Sequence, residues 1–174
     1  SPLPKGGGVW ITNIVFMGMG EPLLNFDNVV EALRRITELL GFSRRRITLS
    51  TCGIAPNIPE LYKKAPHVNL AVSLNATTNR VRDMLMPVNK KYPVEAIISA
   101  CRKIPLSPQS KITFEYVMLG GINDSSEDAN RLIRFLKGIQ SKVNLIPFNP
   151  HKGSAYKRPS EGRVLAFQKI LTDA

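Results

Sequence analysis

A short stretch near the amino terminus, residues 13–22, carries the residue types and spacing best suited to binding a small polar molecule. An apolar run, residues 14–17, ends at two glycines one residue apart, and Glu21 and Pro22 follow them. Glycine permits backbone angles and close approaches that a side chain would block, and proline removes a backbone donor. The stretch therefore predicts a tight corner after a buried strand, with backbone groups that could bind a small zwitterion. By spacing alone, an ordinary strand-to-helix turn is the commoner explanation.

Alternating strand and helix patterns must position this corner. Apolar or β-branched runs predict five strands, and each is followed by apolar residues at helical spacing. The predicted strands are residues 9–17, 45–51, 69–74, 112–119 and 142–148. Five strand–helix units favour a parallel sheet with outer helices and right-handed crossovers. An open doubly wound sheet and part of a barrel both fit, but the sequence has no dinucleotide fingerprint or P-loop to favour the first.

Helix boundaries are marked by several residues with known end preferences. Gly41 is suited to end the first helix, and shorter helices are predicted over residues 59–64 and 77–86. Helix starts are predicted at Asn25 or Asp27, Pro93, Ser125 with Asp128, and Ser160.

The carboxyl ends of the predicted strands carry small hydroxyls, amides and free backbone rather than catalytic groups. Ligands of parallel α/β proteins bind at these ends. We find no Ser-His-Asp order, no carboxylate pair and no lysine at an apolar strand end, so no catalytic residue is predicted. The set suits a polar cofactor, although serines and asparagines there also serve ordinary turns. The groups are Gly20, Glu21, Ser50, Thr51, Cys52, Ser73, Asn75, Glu115 and Asn149.

Three ionisable or thiol groups have simple structural explanations. Glu115 lies within an apolar strand, where we expect it to pair with a basic residue. Cys101 falls on the apolar face of a helix and is predicted to lie in the core, and Cys52 is expected to be inert. The two cysteines and two histidines show no disulfide or metal-ligand spacing, so no metal ligand is predicted.

Composition narrows the class of protein and its partners. The 174 residues are 43% hydrophobic, enough for one globular domain with a core. A secretory leader and a membrane-length apolar run are not apparent, and the cysteine usage favours the reducing cytoplasm without a membrane partner. The net charge is +11, from 24 Lys and Arg against 13 Asp and Glu. This charge favours a polyanionic partner, first of all RNA or DNA.

Three basic stretches could contact nucleic-acid phosphates: residues 44–46, 90–91 and 152–158. Phosphate contacts position a nucleic acid without reading its sequence. For the first two stretches an ordinary solvated face is an equally good explanation. The third lies nearest the predicted site and is the better candidate.

Five sequence blocks in order resemble one known family. Residues 17–23 resemble the glycine-glutamate motif of radical S-adenosylmethionine (SAM) enzymes. Read together with four later blocks, the chain is similar to the dual-specificity RNA methyltransferases that methylate C2 of an adenine in 23S ribosomal RNA and in some transfer RNAs. The likeness covers nearly the whole chain and is far more specific than any single block. The later blocks are residues 46–51, 87–92, 115–119 and 144–150.

The resemblance implies a TIM-like (βα)6 radical-SAM barrel, of which residues 1–174 form a single domain of five βα units. It implies a first strand upstream of Ser1, followed by Cys-x3-Cys-x2-Cys, whose thiolates bind a [4Fe-4S] cluster. The family's two other reactive cysteines lie before Ser1 and beyond Ala174, and neither cysteine here matches them. We therefore expect residues 1–174 alone to bind SAM but to be inactive, and to self-associate through the exposed edge of the first visible strand.

Seven residues acquire expected SAM contacts by matching position. Gly20 and Glu21 are expected to hold the methionyl amino end of SAM, and Ser50 is expected to touch its polar tail. Ser73, Leu74 and Asn75 are expected to line the adenosyl side, and Asn149 is expected to reach SAM from the last strand. Asn75 stands where many relatives are expected to have histidine. A backbone or amide contact would survive that change, and a role for imidazole would not.

Three alternatives are also considered. A near neighbour in the same family methylates C8 of the same adenine. A non-catalytic basic RNA-binding barrel would expose aromatic side chains among its basic residues. A phosphate-binding sugar barrel would carry a glycine-rich loop after a late strand, and residues 151–154 are a poor version of one. The candidate aromatics for the second alternative are Trp10, Tyr62, Tyr92 and Tyr156.

Overall fold

A five-stranded parallel sheet forms the centre of the protein, in a computed structural model that describes residues 11–174. The strands are β1 (Ile14–Phe16), β2 (Ile47–Thr51), β3 (Asn69–Ser73), β4 (Ile112–Met118) and β5 (Ser141–Pro147). Their spatial order equals their chain order, and every neighbouring pair is parallel. All five predicted strands are confirmed, although β1 is shorter than residues 9–17, of which 9 and 10 lie outside the described part.

Six α-helices connect or follow the strands in the described residues. They are α1 (Phe26–Arg34), α2 (Asn57–Lys64), α3 (Asn79–Leu85), α4 (Val94–Arg102), α5 (Ser126–Leu136) and α6 (Glu161–Thr172). Single tight turns precede α1, β2 and α4, and a wider π-helical turn extends α1 up to Leu39. Gly41 follows it with a φ of 67°, as expected for a helix stop. No helix within residues 11–174 is both long enough and apolar enough to cross a bilayer.

The two faces of the sheet differ sharply in polarity. Along β4, Ile112, Phe114 and Tyr116 are fully buried in one continuous core with the helices. The alternate residues, including Thr113 and Glu115, are only half-buried and face the other way. This strand therefore presents one apolar face to the helices and one more polar face to the opposite side of the sheet.

Glu115 on this polar face is not paired with a base, so that expectation is wrong. Its Oε2 accepts a hydrogen bond of 2.7 Å from Nδ2 of Asn144, which lies directly opposite on β5. The half-buried position explains the difference, because a carboxylate that keeps contact with water needs no cation.

Helix starts are mostly where the sequence places them. Ser125 and Asp128 form the predicted capping box of α5, and Ser160 caps α6. Asn25 occupies the N-cap of α1, but its side chain accepts no bond from that helix. The preceding turn is capped instead by Glu21, whose Oε1 accepts a hydrogen bond from the backbone N–H of Leu23 at 2.9 Å.

Candidate functional site

A cavity of about 590 Å³ lies at the carboxyl ends of β1, β2 and β3. Residues 16–22 and 50–52 line it, together with Ser73, Asn75 and Met86. Its size suits a ligand of cofactor dimensions. A larger groove of about 930 Å³ lies between α5, β5 and α6, against the amino-terminal half of β5. Because parallel α/β proteins bind ligands at the carboxyl ends of strands, the smaller cavity is the candidate site.

Five of the seven residues with predicted cofactor contacts line this cavity: Gly20, Glu21, Ser50, Ser73 and Asn75. The fold brings them together from three different strand ends. Leu74 is fully buried beneath the cavity, and Asn149 is exposed beyond β5 without lining it. The contacts expected of these two residues stay predictions.

Glu21 joins the first corner to the end of β2. Its Oε1 accepts hydrogen bonds from Leu23 N and from Thr51 Oγ1, the second at 2.8 Å. Its Oε2 accepts one from the backbone N–H of Cys52 at 2.6 Å. A carboxylate has about four acceptor positions, so three donors leave one open at the cavity. That position suits an additional cationic donor, such as a ligand ammonium.

The two glycines of the corner have open space above them. Gly18 has a φ of 136° and Gly20 a φ of 94°, angles that favour glycine over any other residue. A Cβ built at either position would meet no atom within 4 Å. The corner therefore needs glycine for its backbone conformation and not for close packing. Its exposed main chain borders the cavity, where a ligand could approach it.

Asn75 fastens the end of β3 to β4. Its φ is 59°, and it is the one non-glycine residue of positive φ in the described chain. Asparagine tolerates this conformation better than most residues. Its Oδ1 accepts a hydrogen bond from Val117 N at 3.0 Å, and its Nδ2 lies 3.3 Å from the sulfur of Met86. The Nδ2 edge is thus the part of this side chain that is left for a ligand.

Arg82 lies beneath the cavity, and nothing in the sequence singled it out. The side chain is fully buried and donates to the carbonyl oxygens of Cys52, Ser73 and Leu74. A fourth hydrogen bond, of 3.0 Å, runs from its Nη1 to Oδ1 of Asn89. Burial lowers its pKa to about 10, so it stays charged at neutral pH. Asn89 falls within one of the family-like blocks, and that was the available signal.

Asn123 plays a similar part at the end of β4. This fully buried side chain donates from Nδ2 to the carbonyl oxygens of Asn75 and Val117 and accepts from Leu119 N at 2.7 Å. Its own carbonyl accepts a hydrogen bond from the hydroxyl of Tyr116. The loop after β4 is thereby fixed against the loop after β3. An asparagine after two glycines is typical of an ordinary turn, so the sequence carried no signal for this role.

Both cysteines have unactivated thiols. Burial, followed by hydrogen bonding to Glu21 and its charge, raises the pKa of Cys52 from 9.0 to about 12. Burial raises the pKa of Cys101 to about 12 in the core. The core position of Cys101 is confirmed, and the raised pKa of Cys52 agrees with its expected inertness, which stays a prediction. Within residues 11–174 no three His, Cys, Asp or Glu side chains cluster as a metal site.

Two of the three basic stretches, residues 44–46 and 152–158, lie at opposite edges of the sheet. Arg44–Arg46 form the tight turn that leads into β2, at the amino end of the strands. Residues 152–158 follow β5 and pack against Gly120, just beyond β4. Gly120 N donates to Lys157 O at 2.8 Å, and a Cβ on Gly120 would lie 3.0 Å from Arg158 O. Of these two stretches, only residues 152–158 therefore share the edge that carries the cavity.

This chain is similar to known proteins along most of its length. The family model described as Radical SAM superfamily matches residues 8–136. The chain is 57% identical over 166 residues to the dual-specificity RNA methyltransferase RlmN of Syntrophobacter fumaroxidans. It is 55% identical over 166 residues to that of Desulfosudis oleivorans. Each alignment covers 94% of this chain, but 48% and 44% of the two relatives. The chain thus spans about half the length of the curated relatives it matches.

A solved structure agrees with these sequence matches. The radical SAM methyltransferase from Sphaerobacter thermophilus superposes with a TM-score of 0.87 at 42% identity. The match covers 94% of this chain and 48% of that protein. The parallel α/β fold with outer helices is confirmed. The family match includes the corner with Glu21, the carboxyl ends of β2 to β4 and the buried Arg82, and this chain belongs to the radical SAM superfamily.

Proposed function

We propose that residues 1–174 form one SAM-binding domain of a methyltransferase that methylates C2 of an adenine in 23S ribosomal RNA and transfer RNA. The observation that carries the proposal is the 57% identity, along 94% of the chain, to a relative named as a dual-specificity RNA methyltransferase. The cavity supports it, because five of the seven residues assigned to SAM by family resemblance converge there.

Membership of the radical SAM family implies two cofactors, SAM and a [4Fe-4S] cluster. The cavity fits SAM: it has cofactor dimensions, an open carboxylate position on Glu21 and exposed glycine backbone. The described residues include no cluster of metal-binding side chains, so they do not supply the ligands of the iron. When bound, the two cofactors supply the radical chemistry.

The residues of this chain bind and orient the cofactor. Glu21 would accept a hydrogen bond from the ammonium of SAM, and Gly20 would offer its main chain. Ser50 and Ser73 lie half-buried at the cavity, where their hydroxyls would meet the polar tail and the adenosyl side. Asn75 would contribute through Nδ2, because its Oδ1 already binds β4. Leu74 and Asn149 are the least supported of the seven, since neither lines the cavity.

RNA binding is supported by charge and by its placement. The net charge of +11 attracts a polyanion, and residues 152–158 lie at the edge of the sheet that carries the cavity. The alternative of a non-catalytic RNA-binding module is disfavoured. Tyr62, one of its candidate stacking residues, is buried, and Tyr92 and Tyr156 are half-buried. Trp10 lies outside the described residues.

The decisive experiment uses the complete protein with its cluster reconstituted under anaerobic conditions. We expect it to bind SAM in isothermal titration calorimetry and to form 2-methyladenosine in ribosomal and transfer RNA, identified by mass spectrometry after digestion. Chromatographic standards separate this product from 8-methyladenosine. The C8 product would contradict the proposed position of methylation, and a lack of any methyladenosine would contradict the proposed activity.

The RNA-facing edge is tested by neutralising charges at one edge and then at the other. Lys152→Gln with Lys157→Gln should weaken RNA binding and reduce its salt dependence by about one unit of slope per lost phosphate contact. The matched control is Arg44→Gln with Arg45→Gln at the opposite edge. An equal loss in the control would contradict binding at the cavity edge.

Two further expectations belong with this proposal. In the described part of the chain β1 is an edge strand, and the exposed side chain of Val15 on it supports self-association by edge pairing. Light scattering of residues 1–174 at high concentration measures this self-association, and a monomer would contradict it. A cytoplasmic location is proposed from the unpaired thiols and from the RNA substrates.

A further inference from the structure

We propose that Arg82 is a positioning residue for the SAM cavity: it holds the ends of β2 and β3 at one separation, so that their cavity-lining groups meet the ligand in one geometry. The inference deepens the proposed function and rests on it. Arg82 does not line the cavity itself, so it acts through the backbone of residues that do.

Arg82 bridges two strands at the place where their own hydrogen bonding stops. The ladder between β2 and β3 ends at the pair Thr51 and Val72. Cys52 and Ser73 are the residues that follow this pair in the chain, and Nη2 of Arg82 donates to both of their carbonyl oxygens, at 2.6 and 3.1 Å. The guanidinium therefore continues the strand pairing by one further step, below the cavity.

The distance between the ends of β2 and β3, which Arg82 holds, sets the width of the cavity between its two sides. Ser50, Thr51 and Cys52 line it on the β2 side, and Ser73 and Asn75 line it on the β3 side. Its Nε also donates to Leu74 O at 2.9 Å, so the chain is fixed up to the residue before Asn75. An apolar side chain in place of Arg82 would remove the Arg82 donors from the carbonyls of Cys52 and Ser73 and leave Leu74 O with Ala76 N as its donor, so the two strand ends would be free to move apart.

The orientation of the guanidinium is itself fixed by Asn89. This asparagine is 2% exposed, and its Oδ1 accepts from Nη1 of Arg82 at 3.0 Å. Its Nδ2 donates to Asp83 Oδ1 at 2.7 Å and to Asn79 Oδ1 at 3.1 Å, which holds the amide in one orientation. The planar fork of arginine suits this arrangement, because its donors point in fixed directions.

Arg82 makes its hydrogen bonds without a carboxylate partner, since no ion pair found within residues 11–174 includes it. A buried charge held by neutral acceptors is an expensive way to stabilise a fold. What the arrangement specifies is the geometry of three backbone carbonyls at two strand ends. A role in positioning therefore explains the residue better than a role in stability alone.

The test compares SAM dissociation constants of the complete protein and its variants, measured by calorimetry well below each melting temperature. Arg82→Met should weaken SAM binding by about 10–100-fold, as loss of a supporting hydrogen-bond partner does at metal sites. Arg82→Lys should recover part of the affinity, because an ammonium keeps the charge but lacks the planar fork. Asn89→Ala, which removes one of the four acceptors, should have an intermediate effect.

The matched control is Arg131→Met. Arg131 is less buried than Arg82, binds Asp128 and Thr77, and does not line the SAM cavity. This variant should lower the melting temperature and leave the SAM dissociation constant unchanged. A positioning role would lower the SAM affinity of folded Arg82→Met, whereas a role in stability alone would lower only its melting temperature, as in Arg131→Met.

Three results would overturn the inference. One is wild-type affinity in folded Arg82→Met, and another is an equal loss of affinity in Arg131→Met. If Arg82→Met does not fold, unchanged affinity in Asn89→Ala is the third. A wild-type protein that binds no SAM would instead overturn the proposed function, and the inference with it.

Discussion

Two regions meet at the cavity and are built in opposite ways. The glycine corner, residues 17–22, surrounds open space, and the side chain of Met19 is completely exposed. The strand-end network, Arg82 with Asn89 and the carbonyls of residues 52, 73 and 74, is buried and densely hydrogen-bonded. In the described residues no buried side-chain nitrogen or oxygen lacks a partner.

The difference shows how the work of binding is divided. The strand-end network sets the dimensions of the cavity before a ligand arrives. The glycine corner leaves backbone groups and one carboxylate position available to the ligand. A preformed wall reduces the ordering that binding requires, and an open wall supplies contacts that form only with the ligand. Variants in the two regions should therefore separate stability from affinity.

The largest effect on the glycine corner is expected from Glu21→Gln. The variant keeps the shape of the side chain but removes its charge, and its amide NH2 must face the N–H of Cys52 or, in the flipped orientation, that of Leu23. A hydrogen bond to a charged group contributes about 1.5–3 kcal/mol, so SAM affinity should fall about 10–100-fold. Calorimetry measures it, with Glu31→Gln on the exposed face of α1 as the control. Unchanged binding would exclude the carboxylate from the ligand site.

A large effect on stability is expected from Gly53→Ala, next to the strand-end network. Gly53 has a φ of 103°, and an added Cβ would lie 2.5 Å from Cδ1 and 2.9 Å from Cγ1 of Ile97, a fully buried side chain that would have to shift within the core. Overpacking and backbone strain together should lower the free energy of unfolding by about 2–5 kcal/mol. Urea denaturation measures this change. A loss below that of Gly20→Ala would show that the region is less rigid than its contacts indicate.

Gly20→Ala should have a smaller effect on stability than Gly53→Ala and a larger effect on SAM affinity. An alanine at a φ of 94° is strained by about 1–2 kcal/mol but meets no atom in the free protein. If SAM occupies the open space above Gly20, the added methyl group will clash with it, and the loss of SAM binding free energy should exceed the loss of unfolding free energy. Gly121→Ala is the control, because it has a positive φ and open space but lies away from the cavity. Equal SAM affinities in the two variants would place the ligand elsewhere.

The smallest effect concerns Cys52, where the two regions meet. Its backbone N–H donates to Glu21 and its carbonyl accepts from Arg82. Since its pKa is raised to about 12, the thiolate is scarce at pH 8, and alkylation by iodoacetamide should be slow and should accelerate as pH rises towards 12. Glu21→Gln removes a charge that raises this pKa, so alkylation at pH 8 should become faster. Mass spectrometry measures the rate, with Cys101 as the unaffected internal reference.

The strands and the corner were predictable because their signals are local. Apolar runs located all five strands, and the spacing of glycines with Glu21 located the corner. Arg82 and Asn123 were not predictable, because their importance arises only when folding buries them against distant carbonyls. A charged residue on a short helix normally indicates a solvated face. Glu115 was misread for a related reason, since its apolar neighbours concealed the fact that its own face of the sheet is polar.

The agreement between strand order and chain order has a consequence for how the protein is made. Within residues 11–174 each strand pairs only with its neighbours in chain order, so no pairing among these five strands waits for a distant part of the chain. Loop closure is least costly when partners are near in sequence. The sheet can therefore grow one unit at a time as the ribosome releases it, and the wall of the cavity formed by β1 to β3 can be complete before β5 has been synthesised.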